Sequence, residues 1–283
     1  MIRATRIAVL AVAAAGALAG LAGGAMVYFG WYDVSATSPH TMAVHHLMDT
    51  AMARSVKARA ADVQAPDLNG EARIQNGARL YRTHCVQCHG APGIAPQPYA
   101  LGLNPAPAAL VATARTRPAA EIFWITQQGI KMTGMPAWQY RLTDDQIWDV
   151  VAFLRVLPVL SPADYRDRDD GLPPAEPTPV APGSLRIGDA AAGKKALQQY
   201  LCVTCHAIPG VTGAWNHVGP SLAGMADRPY IAGVMVNTPE NLQRWLREPG
   251  VVKAGTAMPD VGVSEQDARD IAQFLNTLSD DHR

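Results

Sequence analysis

The sequence predicts an all-α fold: one N-terminal transmembrane helix followed by two small helical domains in tandem. Three observations predict it. An apolar run opens the chain. The pattern Cys-x-x-Cys-His then occurs twice, at Cys85–His89 and Cys202–His206, and consumes all four cysteines. After each copy come, in the same order, a Met-Pro pair and the signal for an amphipathic helix. The 283 residues are enough for two domains of ordinary size.

Residues 1–33 are the expected membrane anchor. Arg3 and Arg6 precede an uncharged run from Ile7 to Tyr32. A cleaved leader has an apolar core of about 7–15 residues, whereas crossing a bilayer takes about 20. Tyr28, Phe29, Trp31 and Tyr32 suit the far interface, and the two arginines orient the remainder of the chain outward. Gly23-Gly24-Ala25 keeps a cleaved leader open as the alternative. Gly16, Gly20 and Gly24 either mark a helix-packing face or simply belong to an Ala/Gly-rich anchor.

Residues 34–68 should contain a connecting helix from Thr41 to Ala60, with Val44, Leu47, Met48, Ala51 and Met52 on one stripe. That stripe should pack on the first domain or on a membrane partner. His40, His45 and His46 read as solvated side chains rather than ligands.

Residues 69–157 and 188–283 are the two expected domains. Each opens with a helix carrying a glycine, Gly77 or Gly193, that permits close approach of another helix. Each closes with a capped amphipathic helix. Thr143 with Gln146 and Ser264 with Asp267 resemble capping boxes. Ile147, Val150, Val151 and Leu154 form one apolar stripe; Ala268, Ile271, Ala272 and Leu275 form the other. Between the domains, residues 158–187 hold Pro162, Pro173, Pro174, Pro177, Pro179 and Pro182 and read as a semi-extended spacer.

Cys-x-x-Cys-His is the attachment pattern of c-type haem. Cys85 with Cys88, and Cys202 with Cys205, would bond the two vinyl groups of one porphyrin each, with His89 and His206 binding iron from one side. A zinc half-site and a redox dithiol also contain Cys-x-x-Cys. Structural zinc wants four ligands, and an all-cysteine site would leave both histidines unexplained. Two covalently bound haem c groups are therefore expected. Because haem is joined to cysteine outside the cytoplasm, this agrees with export of both domains across a bacterial inner membrane.

Met135-Pro136 and Met258-Pro259 stand shortly before the closing helices. A thioether can fill the second axial position of the iron, which raises its reduction potential, and proline stiffens the loop. Met132 competes in the first domain, but no proline follows it. Charges balance at 24 basic and 24 acidic residues, so nothing points to nucleic acid. With only five lysines, a lysine-ringed docking face is not expected.

These motifs resemble a membrane-anchored dihaem cytochrome c with two class I cytochrome c domains. Gly219-Pro220-Ser221-Leu222-Ala223-Gly224 resembles the family turn whose proline carbonyl accepts a hydrogen bond from the proximal histidine, which assigns that role to Pro220. The resemblance further implies that Arg228 neutralises a haem propionate and that Trp245 lies beside the methionine ligand; their plain alternatives are a surface charge and a core aromatic. Gly255–Pro259 resembles the family methionine loop. Gly129–Trp138 resembles domains associated with haem–copper oxidases. The first domain lacks a clean Gly-Pro-x-Leu turn, leaving Pro105 and Pro107 as partners for His89.

The implied function is electron relay on the periplasmic face, toward a terminal oxidase or another respiratory complex, without a small-molecule substrate. The alternatives are the cytochrome subunit of a membrane-bound dehydrogenase and, from a different class, a dihaem peroxidase.

Overall fold

The computed structural model describes residues 2–170 and 185–279. Helix α1 (Ile2–Tyr28) is exposed along residues 3–24, and its most apolar 18-residue stretch has a mean hydropathy of 2.1, so the helix is long and apolar enough to cross a membrane. It starts earlier than the uncharged run and stops at Tyr28. Gly30, at φ +67°, adopts the left-handed conformation, so the Gly30 and Trp31 amides fold back onto the Val27 and Met26 carbonyls and end the helix. Beyond that stop, Phe29 stacks on Trp31 at 5.3 Å and meets Tyr28 edge-on at 5.1 Å.

Helix α2 (Met42–Arg59) is capped by Thr41. Its contact with the first domain differs from the predicted stripe. Val56 and Ala60 are buried and Arg117 reaches the Met52 sulfur at 3.8 Å, while Leu47 and Met48 are exposed. Its buried residues fall at the C-terminal end of the helix, while Val44 and Met52 of the predicted stripe are half-buried.

The first domain runs through α3 (Glu71–His84), α4 (Val86–His89), α5 (Leu110–Thr116), α6 (Ala119–Gln128) and α7 (Asp144–Val156). The Thr143–Gln146 capping box is complete, with both reciprocal bonds made. Helices α3 and α7 cross over Tyr81, Ile147, Val151 and Phe153, all fully buried. The predicted spacer begins instead as α8 (Pro162–Asp170). The Ser161 hydroxyl and Asp164 carboxylate exchange hydrogen bonds with each other's amides, proline fits the first helical turn, and Tyr165 inserts into the first core. The prolines from Pro173 to Pro182 lie outside the described residues.

The second domain comprises α9 (Ala190–Gln199), the hairpin β1 (Tyr230–Ile231) and β2 (Met235–Val236), α10 (Pro239–Arg247), α11 (Pro249–Val252) and α12 (Glu265–Leu275). Asp189 caps α9. Ser264 caps α12, but Asp267 is shorter than Glu or Gln, and its carboxylate turns to the hydroxyls of Ser264 and Tyr200 at 2.6 and 2.7 Å. Leu197, Ile231, Leu242 and Ile271 form the core beneath the α9–α12 crossing. Asp270 is buried there at 1% exposure and is fully served: Arg186 pairs with it, and the Asp189 amide and Gln266 side chain donate to it at 2.8 and 3.0 Å.

Candidate haem centres

Each Cys-x-x-Cys-His motif folds into one tight turn at the end of its domain's first helix. In the first, the Cys85 carbonyl accepts from the Cys88 and His89 amides at 3.1 and 3.0 Å; in the second, the Cys202 carbonyl accepts from Cys205 and His206 at 3.2 and 3.0 Å. This turn puts residues three apart on one side, as attachment of both thiols to one porphyrin requires. Burial pushes the Cys85 thiol up to about 12 and the Cys202 thiol to about 11. Redox-active dithiols instead depress a thiol below its ordinary value.

Both histidines are oriented by a backbone carbonyl. His206 Nδ1 donates to the Pro220 carbonyl at 2.7 Å, and His89 Nδ1 donates to the Ala108 carbonyl at 2.8 Å. A carbonyl only accepts, so Nδ1 carries the proton and Nε2 keeps the lone pair needed to bind iron. Burial lowers the proton affinity of His89, and the Ala108 bond acts the other way.

For Pro220 the structure has the contact the sequence predicted. For the first domain it corrects the expectation: the acceptor is Ala108, not Pro105 or Pro107. It stands nineteen residues beyond its histidine rather than fourteen, the extra chain being taken up by the 3₁₀ turn Pro98–Gly102.

The donor set fits haem. A β-carbon on Gly219 would lie 2.5 Å from the His206 ring, so this glycine lets the backbone pass against the imidazole face. Arg228 has partners the sequence did not indicate: its guanidinium donates to the carbonyls of Ser221 and Ala223, bracing the turn that presents Pro220. Trp245 is half-buried on α10 and packs, like Met258, against the second core.

The methionine loops share a geometry that the sequence reading missed. The Met135 amide donates to the Thr133 hydroxyl at 3.0 Å, and the Met258 amide to the Thr256 hydroxyl at 3.2 Å. The legible signal was Thr-x-Met-Pro in both copies. Gly129, at φ +66°, lies under the first loop, where a β-carbon would meet the Met135 carbonyl at 2.7 Å. Met132 stands apart, 79% exposed and at φ +61°.

Two family models match the chain. Residues 72–154 match the model described as cytochrome c oxidase, cbb3-type, subunit III, and residues 190–279 match the cytochrome c model. The chain carries two cytochrome c domains in tandem.

Among curated proteins, the chain is similar to cytochrome c oxidase subunit 2 of Alkalihalophilus pseudofirmus, 33% identical over 87 residues, and to that of Bacillus sp. strain PS3, 41% identical over 88 residues. Each match covers 30% of this chain and 25% of the relative, so the chain spans about a quarter of the length of these relatives. No solved structure matches the chain. Cytochrome c domains imply covalently bound haem c and electron transfer, and the similarity to oxidase subunits is partial and distant.

Proposed function

We propose that this protein is a membrane-anchored dihaem c-type cytochrome that relays electrons on the periplasmic face of the inner membrane to a terminal haem–copper oxidase. In this reading residues 1–33 stay on the mature protein as a single-pass anchor, and residues 69–157 and 188–283 each hold one haem. Cys85, Cys88, Cys202 and Cys205 form the thioether links. His89 with Met135, and His206 with Met258, would hold the two irons.

The observation that carries the reading is the repetition of one complete arrangement: a Cys-x-x-Cys-His turn, a histidine whose Nδ1 donates to a carbonyl, and a methionine whose amide is held by a threonine two residues earlier. Bound haem iron supplies a one-electron couple. The chain's part is to hold both axial donors still, so that little has to move when charge changes. Pro220 and Ala108 fix the imidazole planes, Gly219 and Gly129 permit close backbone packing, and Arg228 stiffens the turn beneath His206.

A haem held by a histidine and a methionine of the chain would offer no free position to peroxide or oxygen, which weighs against the peroxidase reading. The family model matching the first domain and the partial similarity to oxidase subunits support an oxidase as partner.

The test is intact mass with haem staining after denaturing electrophoresis of the membrane-extracted protein, together with N-terminal sequencing. Two haem increments and a start before Ile7 are expected. One increment, or a start near Met26, contradicts the dihaem or the anchored part of the reading respectively.

A further inference from the structure

The turn that follows the first methionine loop belongs to one domain and packs on the other. Tyr140 closes the 3₁₀ turn Trp138–Tyr140, yet its side chain lies against the second core. Its ring meets Tyr200 edge-to-face, with centroids 6.2 Å apart. Tyr200 is itself fixed, 5% exposed and donating to Asp267 at 2.7 Å. The next residue adds a polar contact: Arg141 Nη2 donates to the Gln199 carbonyl at 3.5 Å. Gln199 ends α9, where carbonyls lack partners within the helix and the helix dipole favours a cation. On its own side the turn is anchored by Trp138, whose ring packs on His84 with centroids 5.1 Å apart. His84 immediately precedes Cys85, and Tyr200 stands two residues before Cys202. One short turn therefore touches both segments that lead into the haem-attachment motifs.

We propose that Trp138–Arg141 is a docking element that fixes the second cytochrome c domain on the first, with Tyr140 as the positioning residue and Arg141 as its polar partner. The segments leading into Cys85 and Cys202 are then held at one separation, and the two domains move as a unit. Small contacts between domains ordinarily permit relative motion. Here an aromatic contact on the buried Tyr200 and a guanidinium on the last carbonyl of α9 act from one short turn, which restricts that motion. The proposal goes beyond the relay reading and holds whatever protein accepts the electrons.

Its test is a distance distribution by pulsed electron paramagnetic resonance on the full-length, reduced holoprotein in detergent. Nitroxides are attached to cysteines placed at the exposed helical positions Gln75 and Glu240. The parent and Tyr140→Phe, which keeps the ring, should give a narrow distribution. Tyr140→Ala should broaden it at least two-fold, and Arg141→Ala, an exposed and fold-neutral change, should broaden it in the same direction. An unchanged haem absorption spectrum in each variant checks that both domains remain folded. A broad distribution in the parent, or an equally narrow one in both alanine variants, overturns the proposal.

Discussion

The carbonyl oxygen of Asp270 lies 2.0 Å from the point where a side chain on Gly193 would begin. In the first domain the carbonyl of Asp149 lies 1.9 Å from the same point on Gly77. The two domains are thus built on one contact, a glycine in the first helix against the backbone of the last. An alanine cannot enter without parting the helices, because the obstacle is backbone rather than a flexible side chain. Gly77→Ala and Gly193→Ala should each destabilise their domain by about 1–3 kcal/mol or more, read as a fall of several degrees in its melting temperature. Gly250→Ala, with open space around it, is the control and should change little.

Gly219→Ala tests the orientation of His206. The added methyl would press on the ring and weaken the Nδ1–H bond to Pro220. That bond raises the basicity of the ligand, so its loss should raise the reduction potential of the second haem and leave the first unchanged. The check is a redox titration with both haems resolved; equal potentials in variant and parent contradict the orienting role.

Met135→Ala and Met258→Ala should each remove about half of the weak far-red sulfur-to-iron absorption of the oxidised protein and lower one potential, because loss of His/Met ligation lowers it. Met132→Ala should leave the band intact; losing it there would transfer the first-domain ligand to Met132. Thr133→Val and Thr256→Val, which remove the hydroxyl that holds each methionine amide, should weaken the band without abolishing it.

What was legible in the sequence is what covalent chemistry and close packing impose. Two thiols and an imidazole must keep fixed spacing to meet one porphyrin, and Gly77 and Gly193 stand out because only the smallest residue fits such a crossing. The Pro220 contact was readable because a recognisable turn surrounds it. Ala108 was not, since a carbonyl acceptor leaves no mark on residue type. The start of the spacer was misread because proline suits both an extended chain and a first helical turn, and Tyr165 decided for the helix. Tyr140 and Tyr200 are sixty residues apart, and no local pattern announces their meeting.

Alkaline pH should loosen the protein. Burial, first, and the carboxylates of Asp267 and Asp270 raise the Tyr140 phenol above its ordinary value, and burial with Asp267 raises Tyr200. Unfolded phenols release their protons near pH 10, while these two keep theirs in the fold. The folded state then binds more protons than the unfolded one, so stability is full below about pH 10 and falls as pH rises from there through the raised values. Denaturant unfolding from pH 8 to 11 should show that decline. In Tyr200→Phe it should be shallower, and stability at neutral pH should be lower by about 1 kcal/mol for the lost bond to Asp267. A decline as steep in Tyr200→Phe as in the parent contradicts this assignment.

Electron relay from this chain to an oxidase can be followed by rapid mixing. The purified protein is reduced, mixed with membranes containing the oxidase of its host, and followed through haem absorbance and oxygen uptake together. Both haems should be oxidised as oxygen is consumed. With few lysines to steer docking, the rate should depend only weakly on ionic strength. A reduced protein that stays reduced in the presence of active oxidase, yet is itself reduced rapidly by a co-purifying dehydrogenase, would contradict it.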